Sequence, residues 1–195
     1  MHNILKGIKE FFTEPKWEKV RAVFWFCLIT LIIHISWRFW VIYMDYFPIR
    51  RGMFTISEFF VNQLFDQSFW LIKNIFKIKI QSVSNAIYCD NGSGVSVVES
   101  CSGVKQILQF ALLILFIPGP WKHKLWFIPI GMFIIHLTNV LRISLLVVIA
   151  KHSPSSMELA HNSWLRIMFY VVIFILWLIW IEKIAGKNKV TKVNE

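Results

Sequence analysis

Three residues that could together cleave an acyl bond lie near the ends of apolar segments in this chain. Cys101 stands in the sequence ESCSG, directly before an apolar run. Arg142 lies inside a later apolar run, and His161 lies at the start of the last one. A thiolate is a nucleophile, an arginine stabilises an oxyanion, and a histidine can protonate a leaving amine near neutral pH. The three residue types therefore indicate thiol-dependent acyl transfer.

The residues beside this set suit the same chemistry. A helix N-terminus favours the thiolate form of a cysteine, and either Ser100 or Ser102 could cap such a helix. Gly103 has no side chain and would let a substrate backbone come close. Asn139 lies one helical turn before Arg142, so it could orient the guanidinium or donate to the oxyanion. An arginine inside an apolar span is costly, which makes a functional role its default interpretation.

The composition predicts an integral membrane protein. The 195 residues are 56% hydrophobic and 16% aromatic, and the mean hydropathy is +0.58. Soluble domains are about 45–50% apolar. Apolar segments long enough to span a bilayer, which takes roughly 20 residues, are predicted at 22–44, 103–118, 125–150 and 163–183. We therefore predict an all-α polytopic membrane protein that forms a single membrane domain.

The segments between these spans are more polar. Residues 1–21 are predicted to be a cytoplasmic lead, and 184–195 a basic cytoplasmic tail. In 53–76 one helical face carries the polar residues and another carries Phe and Leu, so this segment is predicted to be an amphipathic helix that either crosses the membrane or lies at its surface. The polar residues are Thr55, Glu58, Asn62, Asp66 and Lys73. Residues 77–100 predict a small extracytoplasmic β-hairpin, with its turn at Asn91–Gly94.

The distribution of charge predicts the topology. If 53–76 does not cross, the N-terminal lead, the 119–124 loop and the tail share one side, and that side holds more Lys and Arg than the other. This side is then cytoplasmic. Cys101, Arg142 and His161 come to one depth near the outer surface. The net charge of +10 suits flanks that face anionic lipid, and no basic stripe indicates nucleic-acid binding.

Three short motifs in the C-terminal half resemble those of the exosortase/archaeosortase family. They are ESCSG at 99–103, NVLRI at 139–143 and AHNSW at 160–164. The resemblance covers roughly 97–180, and the short chain is most similar to compact members such as the exosortase F type. Each motif alone is weak, but the three in this order on successive apolar segments are more specific.

The resemblance implies a multi-pass cysteine protease or transpeptidase of the bacterial cytoplasmic membrane, with its active site on the extracytoplasmic side. Its partners would be exported proteins with a C-terminal sorting signal, made of a short motif, a membrane helix and a basic end. Cys101 would attack the peptide bond, Arg142 would stabilise the intermediate and His161 would protonate the leaving amine. Ser102, Gly103 and Asn139 would support them, with no metal or cofactor.

Several alternatives stay open on the sequence. His136 is a rival base, because it shares a helical face with Asn139 and Arg142. A Cys89–Cys101 disulfide would make Cys101 structural. The chain could also be a small transporter or channel lined by Arg142, Asn139 and His136. A further alternative is a non-catalytic assembly subunit whose polar groups join helices.

Overall fold

The fold is known from a computed structural model that describes residues 18–43, 50–117, 119–153, 155 and 165–185. Within these ranges, four helices are long and apolar enough to span a bilayer. They cover Val20–Phe39, Glu99–Phe116, Trp121–His152 and Ile167–Ile184. The prediction of an all-α polytopic membrane protein is confirmed.

The chain divides into two units, Met1–Tyr46 and Phe47–Glu195. The first contains helix α1 (Glu18–Tyr43), whose apolar residues surround the whole helix axis, as in helices that face lipid. The elements of the second unit are α2 (Arg50–Asn74), β1 (Ile80–Val83), β2 (Ala86–Cys89), β3 (Gly94–Ser96), α3 (Val104–Phe116), α4 (Trp121–His152) and α5 (Leu165–Ile179), which continues as a π-helical segment, Trp180–Ala185. Cys101, Asn139 and Arg142 all belong to this second unit.

Helices α3 and α4 form a closely packed antiparallel pair. The ring of Phe110 lies so near Gly131 that a Cβ atom on this glycine would clash with it. The end of α3 is capped by Lys124, whose Nζ donates to the carbonyls of Leu115 at 2.8 Å and Ile117 at 2.7 Å. These bonds satisfy carbonyls that a helix end leaves without partners. The pairing brings the start of α3 beside the C-terminal half of α4.

Helix α2 packs against this same half of α4. Its buried residues recur every three or four positions, as expected for one face of an amphipathic helix. They are Val61, Leu64, Ser68 and Ile72. The hydroxyl of Ser68 lies 3.4 Å from the carbonyl of Val140 in α4.

Helix α4 has 32 residues and is therefore about 48 Å long, more than the roughly 30 Å of the hydrocarbon layer.

The small sheet is antiparallel, in the order β1-β2-β3. The predicted hairpin corresponds to β2 and β3, whose turn includes Gly92 with a φ of 80°. The structure adds β1, joined to β2 by a two-residue turn at Ser84 and Asn85. Ser84 adopts a φ of 51° there. The sequence did not predict the turn that makes β1 a separate strand, because Ser-Asn is a weaker turn signal than Asn-Gly.

The sheet is anchored at the end of α4. The side-chain amide of Asn91 donates to the carbonyl of Lys151 at 2.9 Å, and the ammonium of Lys151 lies 3.4 Å from the carboxylate of Asp90. Ile87 and Val147 belong to one buried cluster between the sheet and α4. Only residues 97–98 separate the end of β3 from the Cys101 turn, so the anchored sheet also positions this turn.

Candidate active site

Cys101 lies in a single 3₁₀ turn, Glu99–Cys101, between the sheet and α3. Its amide donates to the carbonyl of Val98 at 2.8 Å. Gly103 then takes the left-handed conformation, with a φ of 78°, and α3 begins at Val104. The cysteine therefore precedes the first residue of the helix by three positions.

Neither serine beside Cys101 caps α3. The N-cap residue is Gly103, which makes no side-chain bond. The hydroxyl of Ser102 is 3.4 Å from the amide of Val104, which is too long for a strong hydrogen bond. The expectation that Ser100 or Ser102 caps the helix is wrong, because the 3₁₀ turn and the left-handed glycine move the start of the helix past both of them.

The guanidinium of Arg142 contacts the thiol of Cys101. The distance from Nη2 to Sγ is 3.8 Å. Both side chains are buried, with 8% and 4% of their surface exposed. The other face of the guanidinium lies over the ring of Phe169 in α5, 5.5 Å from its centre, which is a cation–π arrangement. A permanently charged group is thus held against the sulfur between two helices.

The side chain of Asn139 holds the backbone of the nucleophile. Its Nδ2 donates to the carbonyl of Cys101 at 2.7 Å, and the residue is fully buried. A Cβ atom on Gly103 would lie 2.7 Å from this same Nδ2. The space that Gly103 leaves is therefore filled by Asn139 and not by a substrate backbone, which corrects that expectation. Asn139 acts on the position of Cys101.

Of the two candidate histidines, the structure describes His136. His136 is bonded to Gln67 on α2, with 2.9 Å between Nε2 and Oε1. Its ring also packs edge-on against Phe60 of the same helix. His136 is thus tied to α2, nearly two turns along α4 from Arg142. His161 lies outside the described residues, but Leu165, four positions later, shares a buried cluster with Cys101.

The burial of these residues bears on the channel hypothesis. Asn139 has no exposed surface and Arg142 has little. His136 is engaged with Gln67. Asn139 and Arg142 are packed within protein, whereas His136 is half-buried. The burial of the first two favours an enclosed pair of reacting groups over the lining of an open pore.

Cys101 is a free thiol, and so is Cys89. The disulfide considered from the sequence is therefore not formed. Cys89 lies in β2 with its Sγ 3.9 Å from the carbonyl of Val147, and burial raises the pKa of its thiol above its ordinary value. Cys101 remains available as a nucleophile.

A cleft with a volume of about 730 Å³ opens beside the Cys101 turn. Helix α2 forms one wall and the end of the sheet forms the other. The residues that line it are Glu58, Val61, Asn62, Val83, Ser84, Asn85, Ala86, Ser96, Val97, Val98, Glu99 and Ser100. The sequence predicted that Glu58 and Asn62 lie on the polar face of α2. It did not indicate that this face lies opposite residues 83–100. Within the described ranges, no group of three His, Cys, Asp or Glu side chains could hold a metal ion.

Comparisons with known proteins give one result. A model of the transmembrane exosortase family matches residues 17–181. Comparison with curated proteins and with solved structures finds no match. The matched range includes the Cys101 turn, all of α4 and nearly all of the last helix.

Proposed function

The chain belongs to the transmembrane exosortase family, and we propose that it is a membrane-embedded cysteine protease or transpeptidase acting on C-terminal sorting signals of exported proteins. The observation that carries this proposal is the contact between Arg142 and the thiol of Cys101, 3.8 Å long and buried between helices. A cysteine that only fills space has no need of an adjacent guanidinium, which is costly to bury. A nucleophile gains from it, because the guanidinium stabilises negative charge.

The reaction would begin at the Cys101 sulfur. Its thiolate attacks the carbonyl carbon of the scissile peptide, a C–S bond forms, and the carbonyl electron pair moves to oxygen. Arg142 is beside the sulfur and stabilises this oxyanion. Asn139 keeps the Cys101 turn in place through its bond to the carbonyl. These two residues of α4 would thus position and stabilise the reacting atoms.

Collapse of the intermediate breaks the C–N bond and needs a proton for the leaving amine. We assign this step to His161, because histidine can donate a proton near neutral pH. The product is a thioester on Cys101. Attack by water completes hydrolysis, and attack by an amine completes transpeptidation. Either acceptor breaks the C–S bond of the thioester and gives up a proton to His161, which restores the Cys101 thiolate and the protonated histidine.

The site would face the extracytoplasmic side of the bacterial cytoplasmic membrane. A sorting signal that contains its own membrane helix would sit in the bilayer beside the enzyme. Its scissile bond, just outside that helix, would then lie at the depth of the Cys101 turn. The proposal thus accounts for a nucleophile at the end of a membrane span.

The test is thiol labelling of intact cells with a membrane-impermeant reagent, together with processing of sorting-signal proteins. Wild type is compared with Cys101→Ser and Arg142→Ala, in a background that lacks Cys27 and Cys89. We expect external labelling at Cys101, at least tenfold slower labelling without Arg142, and loss of processing in both variants.

The outcomes separate the alternatives. Labelling that requires permeabilised cells would place the site on the cytoplasmic side and overturn the proposed orientation. Full processing by Cys101→Ser would overturn the enzymatic proposal. If Cys101→Ser cells keep the activity of the protein while Arg142→Ala cells lose it, the channel hypothesis replaces the protease proposal. If both changes only reduce the amount of protein, the assembly subunit replaces it.

A further inference from the structure

We propose that the cleft between α2 and the sheet, here called the Glu58–Glu99 cleft, binds the substrate segment next to the scissile bond. We infer that it selects neutral or basic segments and rejects acidic ones. This inference rests on the proposed function and adds the chemical class of the substrate to it.

The position of the cleft is the first argument. Its lining ends at Glu99 and Ser100, which directly precede Cys101. Val61 and Val97 line the cleft and also belong to the buried cluster that contains Cys101. A peptide segment lying in the cleft would therefore run next to the turn that carries the nucleophile. The part of the substrate beside the scissile bond would lie there.

The size of the cleft is the second argument. Its volume of about 730 Å³ falls within the range of roughly 300–1,000 Å³ that is usual for ligand sites. Apart from its two glutamates, the cleft is lined by small hydroxyl and amide groups and by valines. This mixture suits a short peptide, which has both polar backbone groups and side chains. Asn62, Ser96 and Ser100 provide such polar groups.

The charge of the cleft determines its selectivity. Glu58 comes from α2 and Glu99 from the 3₁₀ turn, so two separate elements each contribute a carboxylate. Among the lining residues there is no Lys, Arg or His. Clefts lined by charge of one sign concentrate ions of the opposite sign. A Lys or Arg side chain in the cleft is therefore attracted by the lining, whereas an Asp or Glu side chain meets like charge there.

The first test uses two small thiol reagents of opposite charge, a trimethylammonium and a sulfonate methanethiosulfonate, on a protein whose only cysteine is Cys101. We expect Glu58→Gln to lower the ratio of the cationic to the anionic rate about three- to tenfold. Asp66→Asn, which removes an exposed carboxylate of the same helix outside the cleft, should leave the ratio unchanged. Equal ratios in wild type and Glu58→Gln, or no reaction with either reagent, would overturn the inference.

The second test measures substrate preference directly. A secreted reporter carries a sorting signal that wild-type cells process and Cys101→Ser cells do not, with Lys, Gln or Glu placed before its membrane helix. Wild type should process the Lys and Gln reporters at least tenfold faster than the Glu reporter. The charge-reversed Glu58→Lys, Glu99→Lys enzyme should prefer the Glu reporter.

The two proposals fail in different ways. An unchanged preference in the charge-reversed enzyme, with processing still dependent on Cys101, overturns the assignment of the cleft and leaves the proposed function standing. Processing by Cys101→Ser overturns the proposed function itself. The Glu58 variants matter more than those of Glu99, because Glu58 is on another element and does not perturb the Cys101 turn.

Discussion

The side-chain amide of Asn139 and the carbonyl oxygen of Cys101 are joined by a 2.7 Å hydrogen bond, although 38 positions separate the two residues. The bond attaches the Cys101 turn to the middle of α4. Arg142, one helical turn farther along α4, contacts the sulfur of the same cysteine. One helix therefore holds both the backbone and the thiol of Cys101.

We expect Asn139→Ala to reduce processing at least tenfold. The change leaves the buried carbonyl of Cys101 without its partner, at a cost of about 1–3 kcal/mol, and releases the turn from α4. Processing of a sorting-signal reporter and thiol labelling of Cys101 measure the effect. Thr138→Ala is the matched control, because the hydroxyl of the neighbouring Thr138 donates to the carbonyl of Ile134 within its own helix. Equal activity in the two variants would contradict the positioning role of Asn139.

Gly103→Ala is expected to abolish processing. The left-handed backbone costs an alanine about 1–2 kcal/mol, and its Cβ would also press on the amide of Asn139. Gly92→Ala isolates the second effect, because Gly92 has a similar φ of 80° but nothing within 4 Å of the added atom. We expect Gly92→Ala to be somewhat less stable but active. If both variants lose activity equally, backbone strain alone explains the result.

The ring of Phe169 should matter for the reactivity of Cys101. Phe169→Leu removes the cation–π contact with Arg142, worth about 0.5–2 kcal/mol, and lets the guanidinium move from the sulfur. Labelling of Cys101 should slow several-fold. Phe110→Leu truncates an equally buried ring that packs on Gly131, so it should lower thermal stability without slowing the labelling. Similar labelling rates in both variants would argue against the role of Phe169.

The two histidines are expected to separate in activity. His161→Gln should abolish processing, because no other group in the proposal supplies the proton for the leaving amine. His136→Gln keeps a side chain that can hydrogen-bond to Gln67 and should retain most activity. Reporter processing measures both. Loss of activity in the His136 variant alone would transfer the acid–base role to that residue.

Cys89 should stay unreactive at neutral pH. Burial raises the pKa of its thiol above its ordinary value, so the folded state keeps it protonated while the unfolded chain ionises at lower pH. The contribution of Cys89 to the free energy of unfolding is therefore fully present below the pKa of the unfolded chain. It is lost as the pH rises through the pKa of the folded state. Cys89→Ser should therefore flatten the fall in melting temperature on the alkaline side, measured in detergent, and leave processing intact. Fast labelling of Cys89 at pH 7 would contradict this.

The membrane character of the chain and the common depth of Cys101 and Arg142 could be predicted from the sequence. A run of about 20 apolar residues marks a span without knowledge of its neighbours. The prolines and glycine at 118–120 leave only a short connection between α3 and α4. The two helices therefore run antiparallel, and the start of one must lie near the end of the other. The apolar face of 53–76 likewise indicated the amphipathic helix α2.

The finer arrangement of the site depended on the tertiary structure. Sequence spacing placed Asn139 near Arg142, but only the packing of α3 on α4 shows that it bonds to Cys101 and fills the space left by Gly103. The Glu58–Glu99 cleft likewise arises because α2 and the sheet both pack on α4. Helical periodicity shows which residues share a face, whereas the partner of that face depends on side chains far apart in the chain that must fit one another.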